Sequence, residues 1–120
     1  MLRLGELEAS VMDVLWKASE PMPVREVLAE INKNRSLAYT TVMTVLDNLY
    51  RKEWVVRELD GRAYQYTPAV SRDEAAAQAL RDVLDATDDP ESALLHFARS
   101  ATPQESDVLR RGLRRTRKRP

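Results

Sequence analysis

The chain contains no cysteine, which excludes a disulfide framework, thiolate metal sites and thiol catalysis together. Its single histidine, His96, leaves little scope for metal chelation. The sequence has no glycine-rich phosphate loop, metal-ligand spacing or nucleophile–base set, so neither an enzyme nor a cofactor is expected. Long apolar runs are missing too. Met1 leads straight into a charged, periodic segment, which predicts no signal peptide, no membrane insertion and a cytoplasmic location. Net charge is also absent, because 19 basic side chains offset 19 acidic ones. That balance conceals a pattern. From Ser71 to Asp107 the acids Asp73, Glu74, Asp82, Asp85, Asp88, Asp89, Glu91, Glu105 and Asp107 face only Arg72, Arg81 and Arg99. The end then reverses sign, with Arg110, Arg111, Arg114, Arg115, Arg117, Lys118 and Arg119 and no acid among them. Locally segregated charge sets the field at a phosphate more than the total does.

What is present suits one compact domain or a small domain with an appendage: 120 residues, 43% of them hydrophobic. Leu7, Val11, Val14 and Leu15 share one face of a helix expected over 7–18, with Gly5 and Glu8 forming a weak capping box. Pro23 opens a second helix on which Val24, Val27, Leu28 and Ile31 recur at spacings of three and four. A third helix is expected over 38–52, its inner stripe Val42, Val45, Leu46 and Leu49. The period then changes to two. Residues 54–59 and 63–67 read as strands joined at Asp60-Gly61. Beyond Pro68, Ser71-Arg72-Asp73-Glu74 is a full capping box, and Thr102-Pro103-Gln104-Glu105 is a second helix start. Between them Glu91 to Ser100 reads as a short helix. The fold class is mainly α with a small β-hairpin wing: a winged helix–turn–helix head over 1–70 and a helical dimerisation tail over 71–120.

The third helix carries the chemistry. With its aliphatic stripe inward, its outer face presents Tyr39, Thr40, Met43, Thr44, Asp47 and Arg51, with Thr41 beside them. Short hydroxylated and methylated side chains permit close approach to base edges in a major groove, and a helix N-terminus attracts a phosphate. Taken alone, such threonines are usually just tolerated surface residues. Two helices before and a hairpin after make the winged order, in which the wing tip lies along the DNA backbone. Arg57 and Arg62 flank the turn and reach towards phosphates, or else are solvated cross-strand charges near Glu58 and Asp60. Lys33 and Arg35, just before the third helix, are also placed to touch backbone.

Val11-Met12 with Leu15-Trp16, the run from Ala38 to Leu46, and Gly61-Arg62-Ala63-Tyr64-Gln65-Tyr66-Thr67-Pro68 together resemble the penicillinase-repressor (BlaI/MecI) family of transcriptional regulators. They match its first helix, recognition helix and wing in order. The resemblance implies a homodimer that binds a palindromic double-stranded operator, commonly of TACA…TGTA type, to block transcription of a β-lactamase-type or related stress-response operon. It also implies antibiotic-resistance control relieved by proteolysis of the tail, triggered by a membrane sensor metalloprotease. Asn48 stands where many members have arginine, and Glu53 where a glycine commonly follows the basic pair, so the third helix is expected to end without a left-handed cap. The nearest match to the Asn-Phe bond cut in staphylococcal members is His96-Phe97. The cysteine cluster of copper-responsive relatives is missing, which argues against metal sensing.

Leu80, Val83, Leu84, Leu94, Leu95, Phe97, Leu109 and Leu113 of the tail are expected to be buried across the dimer, because three short helices make a poor isolated core. Trp16 and Trp54 are read as packing residues, Tyr64 and Tyr66 as core packing rather than base stacking, and His96 as a partly buried structural histidine. The competing reading is a winged-helix protein-interaction module that does not bind DNA, favoured by the neutral total charge and by the acidic Asp47 on the reading face.

Overall fold

The computed structural model of the chain describes residues 4–117. The expected order is realised: α1 over Glu6–Lys17, α2 over Val24–Ile31, α3 over Tyr39–Arg51, then the hairpin strands. Gly5 is the N-cap of α1. It makes the half of the box open to a residue without a side chain, its N–H donating to Glu8 Oε1 at 2.8 Å. Asn32 closes α2, its Oδ1 accepting from the Leu37 N–H at 2.8 Å and its Nδ2 donating to the Leu37 carbonyl at 2.9 Å. That reciprocal pair shapes the turn leading into α3.

The sheet has one strand more than the sequence suggested. Met22–Pro23 forms a short β1, which pairs antiparallel with the second hairpin strand. With β2 over Val55–Asp60 and β3 over Ala63–Pro68, the sheet order is β1-β3-β2. Two residues are too few for a period-two signal, and Pro23 reads as a helix start. Proline is tolerated there because β1 is an edge strand. The hairpin register pairs Asp60 with Ala63, so the loop is Gly61-Arg62, with Gly61 at φ 69°.

The core of the head lies between the three helices and the sheet. Val11, Met12 and Leu15 of α1 meet Val27 of α2 and Val42, Leu46 and Leu49 of α3, closed by Trp54, Val55, Tyr66 and Val70. Removing each large aliphatic side chain from water contributes about 1.5–3 kcal/mol. Trp54 is buried, as its reading required. Trp16 is half-buried and packs on this core, and its indole N–H donates to the Val70 carbonyl at 2.9 Å, tying α1 to the segment after β3. Tyr64 departs from its reading. It is 38% exposed, because it lies nearer the hairpin tip than buried Tyr66 and has passed the edge of the core.

Residues beyond the head form α4 over Arg72–Ala86, α5 over Pro90–Ser100 and α6 over Pro103–Arg117. Both capping boxes close reciprocally: Ser71 with Glu74, and Thr102 with Glu105. Asp89 caps α5 by accepting from the Ser92 N–H at 3.1 Å. The chain divides into two compact units, one ending at Ala79 and the other beginning at Leu80, so the division falls within α4. No described residue of α4, α5 or α6 is buried. Leu80, Val83, Leu94, Leu95, Phe97, Leu109 and Leu113 are all exposed and Leu84 is half-buried. His96 is exposed in the single chain, contrary to its reading, on an α5 none of whose described residues is buried. Lys118 and Arg119, and the side chains of Arg115 and Arg117, lie outside the described residues.

Candidate nucleic-acid interface

α3 sorts its side chains cleanly. Val42, Val45, Leu46 and Leu49 are buried, while Tyr39, Thr40, Met43, Thr44 and Arg51 are exposed and Thr41 and Asp47 are half-buried. Tyr39 is 48% exposed and Met43 43%. The helix starts without a side-chain cap at Ala38, so its first N–H groups are not covered by a capping oxygen.

Beside this face the head carries a groove of about 540 Å³. Tyr39, Met43, Thr44 and Asp47 of α3 form one wall, and Arg57, Arg62 and Tyr64 of the wing form another. Six of the residues singled out from the sequence therefore share one concavity: Tyr39, Met43, Thr44, Asp47, Arg57 and Arg62. The start of α2 supplies the remaining wall with Arg25, which sequence reasoning missed. Arg25 is an exposed cation whose one ion pair among the described residues is a loose 3.7 Å contact with Glu26. A helix-period reading assigns it only to solvent. Nothing local in the sequence announces that β1 brings the start of α2 against the wing.

Lys33 and Arg35 are not part of this groove. They line a separate depression with Ser10, Asp13 and Lys17 of α1. Lys33 pairs with Glu30 at 2.9 Å, and Arg35 donates to Glu6 Oε1 at 3.1 Å and Ser10 Oγ at 3.2 Å. Thr40 and Arg51 also lie outside the groove lining, on the exposed side of α3.

Arg62 and Arg57 differ sharply. Arg62 sits at the hairpin loop, exposed and without an ion pair among the described residues. Arg57 keeps only 21% of its side chain exposed and pairs with Asp47 Oδ1 at 3.3 Å. Its guanidinium carbon lies 3.8 Å from the Tyr50 ring centre and 4.1 Å from that of Tyr64. Burial alone would lower its pKa, but contacts with Tyr66, Tyr64 and Asp47 outweigh that and raise it, so the charge is permanent. It pairs with neither Glu58 nor Asp60. Asp47 is shared in turn, meeting Arg51 at 3.2 Å. The acid on the reading face is thus neutralised by two arginines. Arg51 also donates to Asn48 Oδ1 at 2.6 Å.

Residues 4–115 match the family model described as penicillinase repressor. The transcriptional regulator BlaI of Mycobacterium tuberculosis is 44% identical over 116 residues, which is 94% of this chain and 84% of that protein. The penicillinase repressor of Staphylococcus aureus is 25% identical over 109 residues, 89% of this chain and 86% of that protein. Among solved structures, the Bacillus licheniformis BlaI monomeric form in complex with the blaP half-operator superposes with a TM-score of 0.52 at 29% identity, covering 61% of this chain and 88% of that one.

Proposed function

The chain belongs to the penicillinase-repressor family, whose matched relatives are transcriptional regulators and not enzymes, and we propose that this DNA-binding repressor works as a homodimer on a palindromic operator. The observation that carries the reading is the exposed strip Tyr39, Thr40, Met43 and Thr44, set beside a groove that the wing's Arg62 enters. A major groove about 12 Å wide accepts a helix. Thr41, Thr44 and Met43 supply hydroxyl and methyl contacts to base edges. Arg62 and Arg25 hold phosphates on either side, with Lys33, Arg35 and Arg51 as outlying cations. The Bacillus relative's monomeric form sits with a half-operator, and two half-sites call for two copies. The apolar residues from Leu80 to Leu113 would join those copies, giving a head over 1–70 and a dimerising tail over 71–120. Relief by proteolysis of that tail, through a membrane sensor metalloprotease acting on a β-lactamase-type circuit, completes the proposal. Among the described residues no helix is long and apolar enough to cross a membrane.

The alternative of a protein-interaction module drew support from the neutral total charge and from the acid on the reading face. Asp47 is held by Arg51 and Arg57, which removes the second of these supports and leaves only the first. The test is selection of duplex fragments by the purified chain, followed by gel shifts on the selected sequence. Thr44→Ala should weaken binding by roughly 1–3 kcal/mol if its hydroxyl reads a base edge. Undiminished binding by both Thr44→Ala and Thr41→Ala would remove α3 as the reading element.

A further inference from the structure

One guanidinium in the head joins three elements, its own strand and two others. Arg57 projects from β2, pairs with Asp47 of α3 at 3.3 Å, and lies against Tyr50 of α3 and Tyr64 of β3. Apart from this cluster, the wing tip has little to fix it to the helix: Leu59, Asp60, Gly61, Arg62 and Ala63 are all exposed. A two-stranded tip without core contacts is free to swing about its base. Two cation–π contacts to a half-buried guanidinium, added to an ion pair, are a means of restraining it.

We infer that Arg57 is a positioning residue, a pin that locks the wing to the reading helix and so sets where Arg62 meets the DNA backbone, rather than a phosphate contact itself. The geometry accounts for the residue types. A guanidinium offers flat faces to the rings and edge N–H groups to a carboxylate at the same time, which an ammonium cannot do. Pre-set wing geometry lowers the ordering cost at binding, so the pin raises affinity without adding a released counterion. Asp47 then serves as the anchor of the pin, which gives an acid on a DNA-facing helix a function.

The inference rests on the DNA-binding reading, and the experiment separates the two. Affinity for the selected duplex is measured across a salt series for the wild type, Arg57→Ala, Arg57→Lys, Tyr64→Leu and Arg62→Ala. Amide hydrogen exchange of the wing is followed in the free proteins. Arg57→Ala should bind on the order of tenfold more weakly, equivalent to about 1.4 kcal/mol, with the wild-type salt slope. Arg62→Ala should flatten that slope by about 0.9 for each phosphate that is no longer neutralised. Arg57→Lys, which keeps the charge, should fail to rescue, and exchange across 55–68 should quicken in Arg57→Ala and Tyr64→Leu while α1 stays protected. A flattened slope in Arg57→Ala, or full rescue by lysine, would overturn the pin in favour of a phosphate contact. Tyr64→Leu keeps the cation and spares the core, so it serves if Arg57→Ala does not fold. A wild type that selects no duplex defeats the DNA reading alone, since wing exchange in the free protein still decides whether the pin exists.

Discussion

Glu8 is the one charged residue buried among those described, 9% exposed. Its Oε1 accepts from the Gly5 N–H at 2.8 Å and from Lys52 Nζ at 2.7 Å, joining the start of α1 to the end of α3. Burial by itself would raise its pKa. The Lys52 hydrogen bond, the Gly5 N–H and the Lys52 charge together outweigh burial and hold it below the ordinary 4.5. A carboxylate whose folded pKa is depressed adds stability that is fully present above the unfolded value and is lost as pH falls through the folded one. Urea unfolding at a series of pH values should therefore show stability declining as pH drops below about 4.5. Glu8→Gln should be less stable at neutral pH by roughly 1.5–3 kcal/mol, the range for a charge-assisted bond, with the gap closing in acid. A gap that stays constant with pH would assign the contribution of Glu8 to packing and not to charge.

At the scale of elements, the end of α3 shows what a sequence conceals. Glu53 in place of glycine argued for a helix end without a left-handed cap, yet Glu53 adopts φ 66°. Its N–H donates to the Tyr50 carbonyl at 3.0 Å, and the Trp54 N–H donates to the Leu49 carbonyl at 2.9 Å, which is the paired pattern of a Schellman ending. Burial of Trp54 and Val55 just beyond α3 fixes the direction of the chain, and Glu53 absorbs the strain. Left-handed backbone costs an L-residue about 1–2 kcal/mol, part of which returns as lost unfolded-state entropy when glycine is removed. Glu53→Gly should accordingly stabilise the head by about 0.5–1 kcal/mol in thermal or urea melts; a loss of stability would show that the glutamate side chain makes a compensating contact. The helices and wing were legible because each announces itself locally: stripes such as Val42, Val45, Leu46 and Leu49, the boxes at Ser71 and Thr102, and the Gly61 turn. β1 and Arg25 at the groove were not legible, because each depends on pairing between segments far apart in the chain. The Arg57 cluster was not, because it depends on how the wing folds back against α3 and not on any local period. Nor was the ion pair of Arg35 with Glu6, which follows from how the helices pack, whereas Lys33 pairs locally with Glu30, three residues away across the end of α2.

For the whole molecule the question is why the tail helices carry so many uncovered apolar side chains. Leu80, Val83 and Leu113 each expose more than 60% of their surface, and Leu94, Leu95, Phe97, Val108 and Leu109 about half. Such residues left in water gain nothing from ordering, whereas burial returns roughly 25 cal/mol for every Å² of apolar surface covered. In the proposed dimer a second copy of the chain would be the cover, and linking two heads would turn the second half-site contact into an intramolecular one. Phe97→Asp combined with Leu109→Asp places charge in that surface without touching the core of the head. Sedimentation should find the wild type dimeric at micromolar concentration and this variant monomeric. On a half-site the two should bind alike, while on the full palindrome the variant should lose affinity by a factor on the order of 10²–10⁴, the usual gain from linked binding. A variant that remains dimeric would move the interface elsewhere. A monomeric variant that still holds the full operator as tightly as the wild type would break the link between tail and DNA that the symmetric model requires.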